Sequence, residues 1–130
     1  MAEHPNVQRL RDGYAAFGKG DMDTVKQLWT DDVVWHVGGE SPLAGDYKGQ
    51  DEIIGFFGRI FEMSGGSLEL EVHDILANDE HAVALVTQRG KRDGKSLEMN
   101  AVHVFNLRDG KTSEFWAFNE DDRRADEFWS

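Results

Sequence analysis

The strongest constraint on this chain is a change of hydrophobic period at Ser64-Gly65-Gly66. Before that point apolar residues recur three or four apart, and after it they alternate with polar ones. Periods of 3.6 and 2 belong to helix and strand, and a residue pattern suited to one backbone buries the wrong side chains in the other. A chain that gathers its helices first and its strands last is expected to fold as α+β, with the N-terminal helices packed on one face of a curved antiparallel sheet.

The segments follow from that division. Asn6 is the expected N-cap of a first helix in which Val7, Leu10, Tyr14 and Phe17 share a face, with Gly18 and Gly20 as its stop. Asp21 is placed to cap a short second helix reaching Leu28 and Trp29. Val33-Val34-Trp35-His36-Val37 reads as a strand. Gly38, Gly39, Pro42, Gly45 and Gly49 mark a long loop. Asp51 opens a third helix whose Ile53, Ile54, Phe56, Phe57, Ile60 and Phe61 cover more than one stripe, so it is expected to be largely buried. Strands then follow from Leu68. Asn78-Asp79 marks a turn, and Asp93-Gly94 and Asp109-Gly110 are hairpin signals. The stretch EDDRRADEFW reads as a short helix capped by Asp121 or Asp122.

Composition narrows the function classes. The 130 residues suit one domain, 1–130, large enough to bury roughly two-thirds of its unfolded surface. There is no cysteine, which excludes disulfides, thiolate metal sites and a cysteine nucleophile. A formal charge of -11 disfavours a nucleic-acid backbone or an anionic membrane as partner and leaves neutral or cationic ligands. The opening residues MAEHPNVQRLRD are polar, and no stretch approaches the ~20 apolar residues of a membrane span, so the expected location is cytoplasmic. The five histidines lack the i, i+4 spacing of a helical zinc site, and no glycine-rich phosphate cradle is present; no metal and no cofactor are expected.

Several stretches together carry a resemblance. They are Tyr14-Ala-Ala-Phe17 with Gly20-Asp21, Trp29-Thr-Asp-Asp-Val-Val-Trp-His-Val37, Pro42-Leu-Ala-Gly-Asp-Tyr-Lys-Gly49, Asp109-Gly-Lys111 and Glu114-Phe-Trp116. In that order and spacing the chain resembles the SnoaL-like branch of the nuclear transport factor 2-like superfamily over nearly its whole length. The resemblance implies a cone-shaped roll with helices on the concave face of the sheet and a cavity between them. It also implies a homodimer through the outer sheet face. Met99, Ala101, Phe105 and Leu107 alternating with Val102 and Val104 fit a strand covered on both sides. Such folds carry isomerases, cyclases, hydrolases, dehydratases and plain binding modules.

Ketosteroid isomerase, a relative that the resemblance brings in, uses an Asp base and an oxyanion hole of a Tyr and a protonated Asp. Counted along this chain, the base falls on Val37, the oxyanion acid on Val102 and the oxyanion tyrosine on Gly13. A shift of one residue would bring in His36 or His103. Many SnoaL-like relatives place a His between the Glu and Trp after the last turn, where this chain has Phe115.

Strand parity places Trp35, Val37, Glu98, Asn100, Val102, Phe115 and Asn119 toward the cavity, and His36 and His103 on the outer face. Tyr14 and Phe57 are expected from the helix side. Tyr14 and Trp35 read equally as packed core residues, and Asn100 and Asn119 as amides that orient a ligand or satisfy backbone. Candidate acid–base residues are Glu98, Asp121 and His36. The expected partner is a neutral hydrophobic small molecule, either a carbonyl compound undergoing cofactor-free isomerisation, cyclisation or dehydration, or a ligand merely bound; a dimeric scaffold of the same fold is the third possibility.

Overall fold

The third helix ends at Ser64, and from Glu69 the chain runs as four strands and one short helix. The computed structural model describes residues 3–130; Met1 and Ala2, which belong to the polar opening stretch and to the expected domain 1–130, lie outside them. In chain order the elements are α1 (Pro5–Lys19), α2 (Met22–Gln27), β1 (Trp29–Val37), β2 (Gly45–Lys48), α3 (Gln50–Ser64), β3 (Glu69–Ala77), β4 (His81–Arg92), β5 (Lys95–Arg108), β6 (Lys111–Asn119) and α4 (Asp122–Trp129). Among the described residues no helix is long and apolar enough to cross a membrane.

Local chemistry sets the helix ends. The cap of α1 is His4, whose Nδ1 accepts from the Asn6 N–H at 3.1 Å, with Pro5 in the first turn. Asn6 is instead buried inside the helix and donates Nδ2 to the Asn78 carbonyl at 3.0 Å, tying α1 to the β3–β4 turn. Asp21 caps α2 as its sequence position implies. Helix α3 starts one residue before Asp51 and buries Ile53 and Phe56, while Phe61 is 69% exposed. Its apolar breadth therefore exceeds what the fold covers. Asp126 on α4 accepts backbone N–H bonds from Glu40 at 3.0 Å and Ser41 at 3.1 Å. Gly39 lies against that carboxylate at φ 92, where a Cβ would collide with it.

The six strands form one curved sheet in the order β2-β1-β6-β5-β4-β3. All neighbours are antiparallel except β1 and β6, which run parallel. Short hairpins force antiparallel pairing on β3 to β6, but β1 and β6 are separated by most of the chain and are free to pair in either sense. Strand β2 lies within the stretch that the glycines mark as loop; it is short, exposed on the edge and held by Trp35 opposite Tyr47. Bulges between Val72 and Asp74 and between Asn106 and Leu107 bend their strands.

Helices and α4 cover the inner face, where Val33, Ile53, Val86 and Met99 are fully buried. Val33, Trp35 and Val37 on β1 and Phe115 and Asn119 on β6 share that face. On β5 the parity is opposite to expectation. Leu97, Met99, Ala101, Phe105 and Leu107 are buried, whereas Glu98 and Asn100 are exposed. Val102 lies on their face, and His103 lies on the inner one. Because β5 is apolar on both sides, alternation alone does not say which side is inner; the pairing of Phe105 with Phe115 does.

Candidate functional site

Between α1, α2, α3 and the inner sheet face lies a cavity in two compartments of about 90 and 120 Å³. Phe17, Trp35, Leu70, His103 and Phe115 line both. Aromatic rings make much of the first wall. Trp35 stacks on Phe115 at 3.7 Å between centroids, and Phe57 meets Trp29, Trp35 and Phe17 at 5.8, 5.7 and 4.9 Å. Tilted and edge contacts at these separations suit the ring quadrupoles and hold the wall in place.

One polar pair interrupts this wall. The Tyr14 hydroxyl lies 2.6 Å from His103 Nδ1, joining α1 to β5 across the interior. Burial raises the Tyr14 phenol well above its ordinary range. Burial also pushes the His103 imidazole down to about 4. Both groups are consequently neutral near pH 7, since each would have to charge without a countercharge beside it. Two proton placements satisfy the bond. Tyr14 donates to Nδ1, leaving Nε2–H as a donor, or Nδ1–H donates to Tyr14, leaving the phenol hydrogen and the Nε2 lone pair free. In either form the pair retains a donor for a ligand oxygen.

Other polar groups reach the cavity at its ends. Arg9 lines the first compartment and donates from Nη1 to Asn6 Oδ1 at 2.6 Å. Gln88 and Asn119 line the second compartment and are joined by a 2.7 Å bond from Gln88 Nε2 to Asn119 Oδ1.

The residues singled out in the sequence fall into three groups. Tyr14, Trp35, Phe57 and Phe115 line the first compartment, and Val37 and Asn119 the second. Asn100 and Val102 do not line it. Asn100 accepts from Thr87 Oγ1 at 2.9 Å on the outer face, which corrects its expected inward position. Glu98 is an exposed partner of Arg89 at 2.9 Å. Asp121 caps α4 by accepting from the Arg124 N–H. His36 sits on the outer face, bridging Asp46 and Glu114.

The residue that strand parity misses is His103: parity places it on the outer face, and the structure places it in the cavity wall. A signal was present: the counts for the oxyanion tyrosine and acid fall on Gly13 and Val102, and in both cases the next residue, Tyr14 or His103, faces the cavity. The base position stays apolar at Val37.

Comparison with known proteins agrees with this architecture. The profile of the SnoaL-like domain matches residues 10–115. The uncharacterised protein Rv0034 of Mycobacterium tuberculosis is 26% identical over 131 residues, covering both chains completely. The structure of Bal32a, from a soil-derived mobile gene cassette, superposes with a TM-score of 0.92 at 32% identity over 96% of each chain. TerC, co-crystallised with polyporic acid, matches at 0.85 and 22% identity over 96% of this chain and 98% of its own. A candidate SnoaL-like polyketide cyclase from Jannaschia sp. CCS1 matches at 0.78 and 19% identity over 92% and 91%. The last two likenesses concern the fold alone.

Proposed function

The chain belongs to the SnoaL-like domain family, and on that premise we propose that it holds a neutral, hydrophobic carbonyl compound against Tyr14 and His103 and moves a proton at the carbon beside the carbonyl. The observation that carries this is the 2.6 Å bond between two neutral polar groups in a compartment whose other walls are mainly aromatic and aliphatic, with Asn6, Arg9 and Thr112 as the further polar lining. An apolar pocket with few convergent polar groups suits a small molecule that is oriented by one oxygen. Two proteins of the same fold are TerC, co-crystallised with polyporic acid, and a candidate polyketide cyclase.

The chemistry follows from the proton placement. With the proton on Nδ1, Tyr14 donates to the ligand oxygen and Nε2 of His103 is a free base. The α C–H bond breaks, its proton passes to Nε2, and its electron pair forms the C=C of an enolate whose oxygen accepts from Tyr14. Enolate and imidazolium form together as an ion pair in a poorly solvated space, where their attraction is strong. Return of the proton to another carbon is isomerisation; attack of the enolate carbon on a second carbonyl is cyclisation. An imidazole held near 4 is a weak base, so the substrate C–H has to be acidic, as when a second π system flanks it.

The apolar base position at Val37, with Phe115 at a second place, favours a second possibility, binding without turnover. One experiment separates the two: deuterium exchange at C1 of 2-tetralone, followed by proton NMR with the full chain. Exchange above the buffer rate that falls at least tenfold in Tyr14→Phe and His103→Gln supports catalysis. Binding weakened by both substitutions, with exchange at the buffer rate, supports a binder. Binding indifferent to both substitutions rules out carbonyl recognition by this pair.

We also infer a homodimer through the outer sheet face. Leu76, Leu85 and Phe118 are 58, 40 and 55% exposed there, and polar rows such as Glu71-Arg89-Glu98 flank the band. Sedimentation should show a dimer that Phe118→Asp splits; a wild-type monomer at high concentration would count against it.

A further inference from the structure

We propose that Gln88 and Asn119 form a second polar anchor in the cavity, which takes a hydroxyl or another group able both to donate and to accept, carried by the same ligand whose carbonyl meets Tyr14 and His103. This rests on the carbonyl reading above and extends it to the shape and second function of the ligand.

The two amides lie on the inner face, with Gln88 opposite Met99 and Asn119 opposite Ala101, in a compartment whose other polar lining residues are His103, Ser41 and Asp126, the last already bonded to the Glu40 and Ser41 N–H groups. Their mutual bond uses one N–H of Gln88 and one lone pair of the Asn119 oxygen. The Gln88 oxygen and the Asn119 NH₂ remain without a partner among the described residues. If both amides are turned over, Asn119 donates to Gln88 and the free groups exchange owners. In both assignments one acceptor and one donor of the pair stay free. A hydroxyl satisfies both at once, because it donates one hydrogen and accepts through its lone pairs. A tether between strands would not need both residues to line a cavity.

The spacing specifies the ligand further. His103 is opposite Ala117 while Asn119 is opposite Ala101, so His103 and Asn119 are diagonal neighbours on one face. Such neighbours stand roughly 7–8 Å apart. His103 lines both compartments, and Asn119 only the second. Each compartment, at about 90 and 120 Å³, is below the ~150 Å³ of a cavity that accepts benzene, so a ring-sized ligand has to extend through both. The ligand class is therefore a bicyclic or longer ketone with a hydroxyl at the end far from its carbonyl.

Calorimetric titration of the full chain with 2-tetralone and 6-hydroxy-2-tetralone tests this. The wild type is expected to bind the hydroxylated probe about tenfold more tightly, the range of one or two hydrogen bonds. The double substitution Gln88→Leu, Asn119→Leu is expected to abolish that preference, so that the variant binds the two probes alike. Should that variant fail to fold, 6-methoxy-2-tetralone gives the same information on the wild type: it accepts but cannot donate, and its affinity should fall below that of the hydroxylated probe. Equal wild-type affinity for hydroxylated and plain probes, with 2-tetralone binding still weakened by Tyr14→Phe, overturns the second anchor and leaves the carbonyl reading standing. No binding of either probe overturns both.

Discussion

His103 and His36 lie on opposite faces of one sheet and experience opposite surroundings. His103 faces the aromatic cavity with the Tyr14 hydroxyl as its hydrogen-bond partner, and burial keeps it neutral down to about 4. His36 faces outward, stacks on Trp116 at 5.2 Å and touches Asp46 and Glu114 at 2.7 and 2.6 Å. Partial burial opposes its charged form, but the hydrogen bonds and charges of the two carboxylates outweigh that and raise its pKa above the ordinary value. One residue type thus serves as a neutral hydrogen-bonding group inside and as a cation between carboxylates outside. The face occupied decides the role, through desolvation on one side and countercharge on the other.

The largest effect should come from neighbours on β6. Phe115 is 3% exposed and Phe118 is 55% exposed. In urea unfolding, Phe115→Ala is expected to cost about 3–5 kcal/mol, and Phe118→Ala under about 1 kcal/mol in the monomer. A comparable loss at Phe118 would break the contrast and mean that the outer face is covered in solution.

The next effect concerns pH. His103 binds its proton more weakly folded than unfolded, so its contribution to stability is lost as pH falls from the unfolded value of 6.5 toward 4. His103→Gln should remove on the order of 3 kcal/mol of that acid-side loss relative to wild type, measured by urea unfolding at pH 7 and 4. Parallel curves for the two proteins would show that His103 is hydrated rather than buried.

The smallest effect has the opposite sign. His36 binds its proton more tightly when folded, so its contribution is present below the unfolded pKa and is lost as pH rises through the raised value. Because the site is partly exposed, His36→Gln should cost under about 1 kcal/mol at pH 5.5, less at pH 8.5 and less again in high salt. A loss that grows with pH would reverse the assignment.

Much of the fold was legible along the chain. The period change at Ser64-Gly65-Gly66, the Asp21 cap and the hairpins at Asp93-Gly94 and Asp109-Gly110 are local features, and local backbone preferences decide them. Strand β2 was not legible, because Gly45–Lys48 lacks an apolar pattern and exists as a strand by pairing with β1. The parallel pairing of β1 with β6 is likewise a contact between distant segments.

The candidate site divides in the same way. Tyr14, Trp35, Phe57 and Phe115 were open to sequence reasoning because helical spacing and the parity of β1 and β6 point them to one interior. His103 was not, since Val102 and Val104 on one side and Ala101 and Phe105 on the other make β5 apolar on both faces. The sequence by itself determined which segments are helix and strand, and that the interior would be apolar and aromatic. Tertiary structure alone decided that His103 rather than Val102 turns inward to meet Tyr14, because a two-sided apolar strand has no face preference until its partners fix the register.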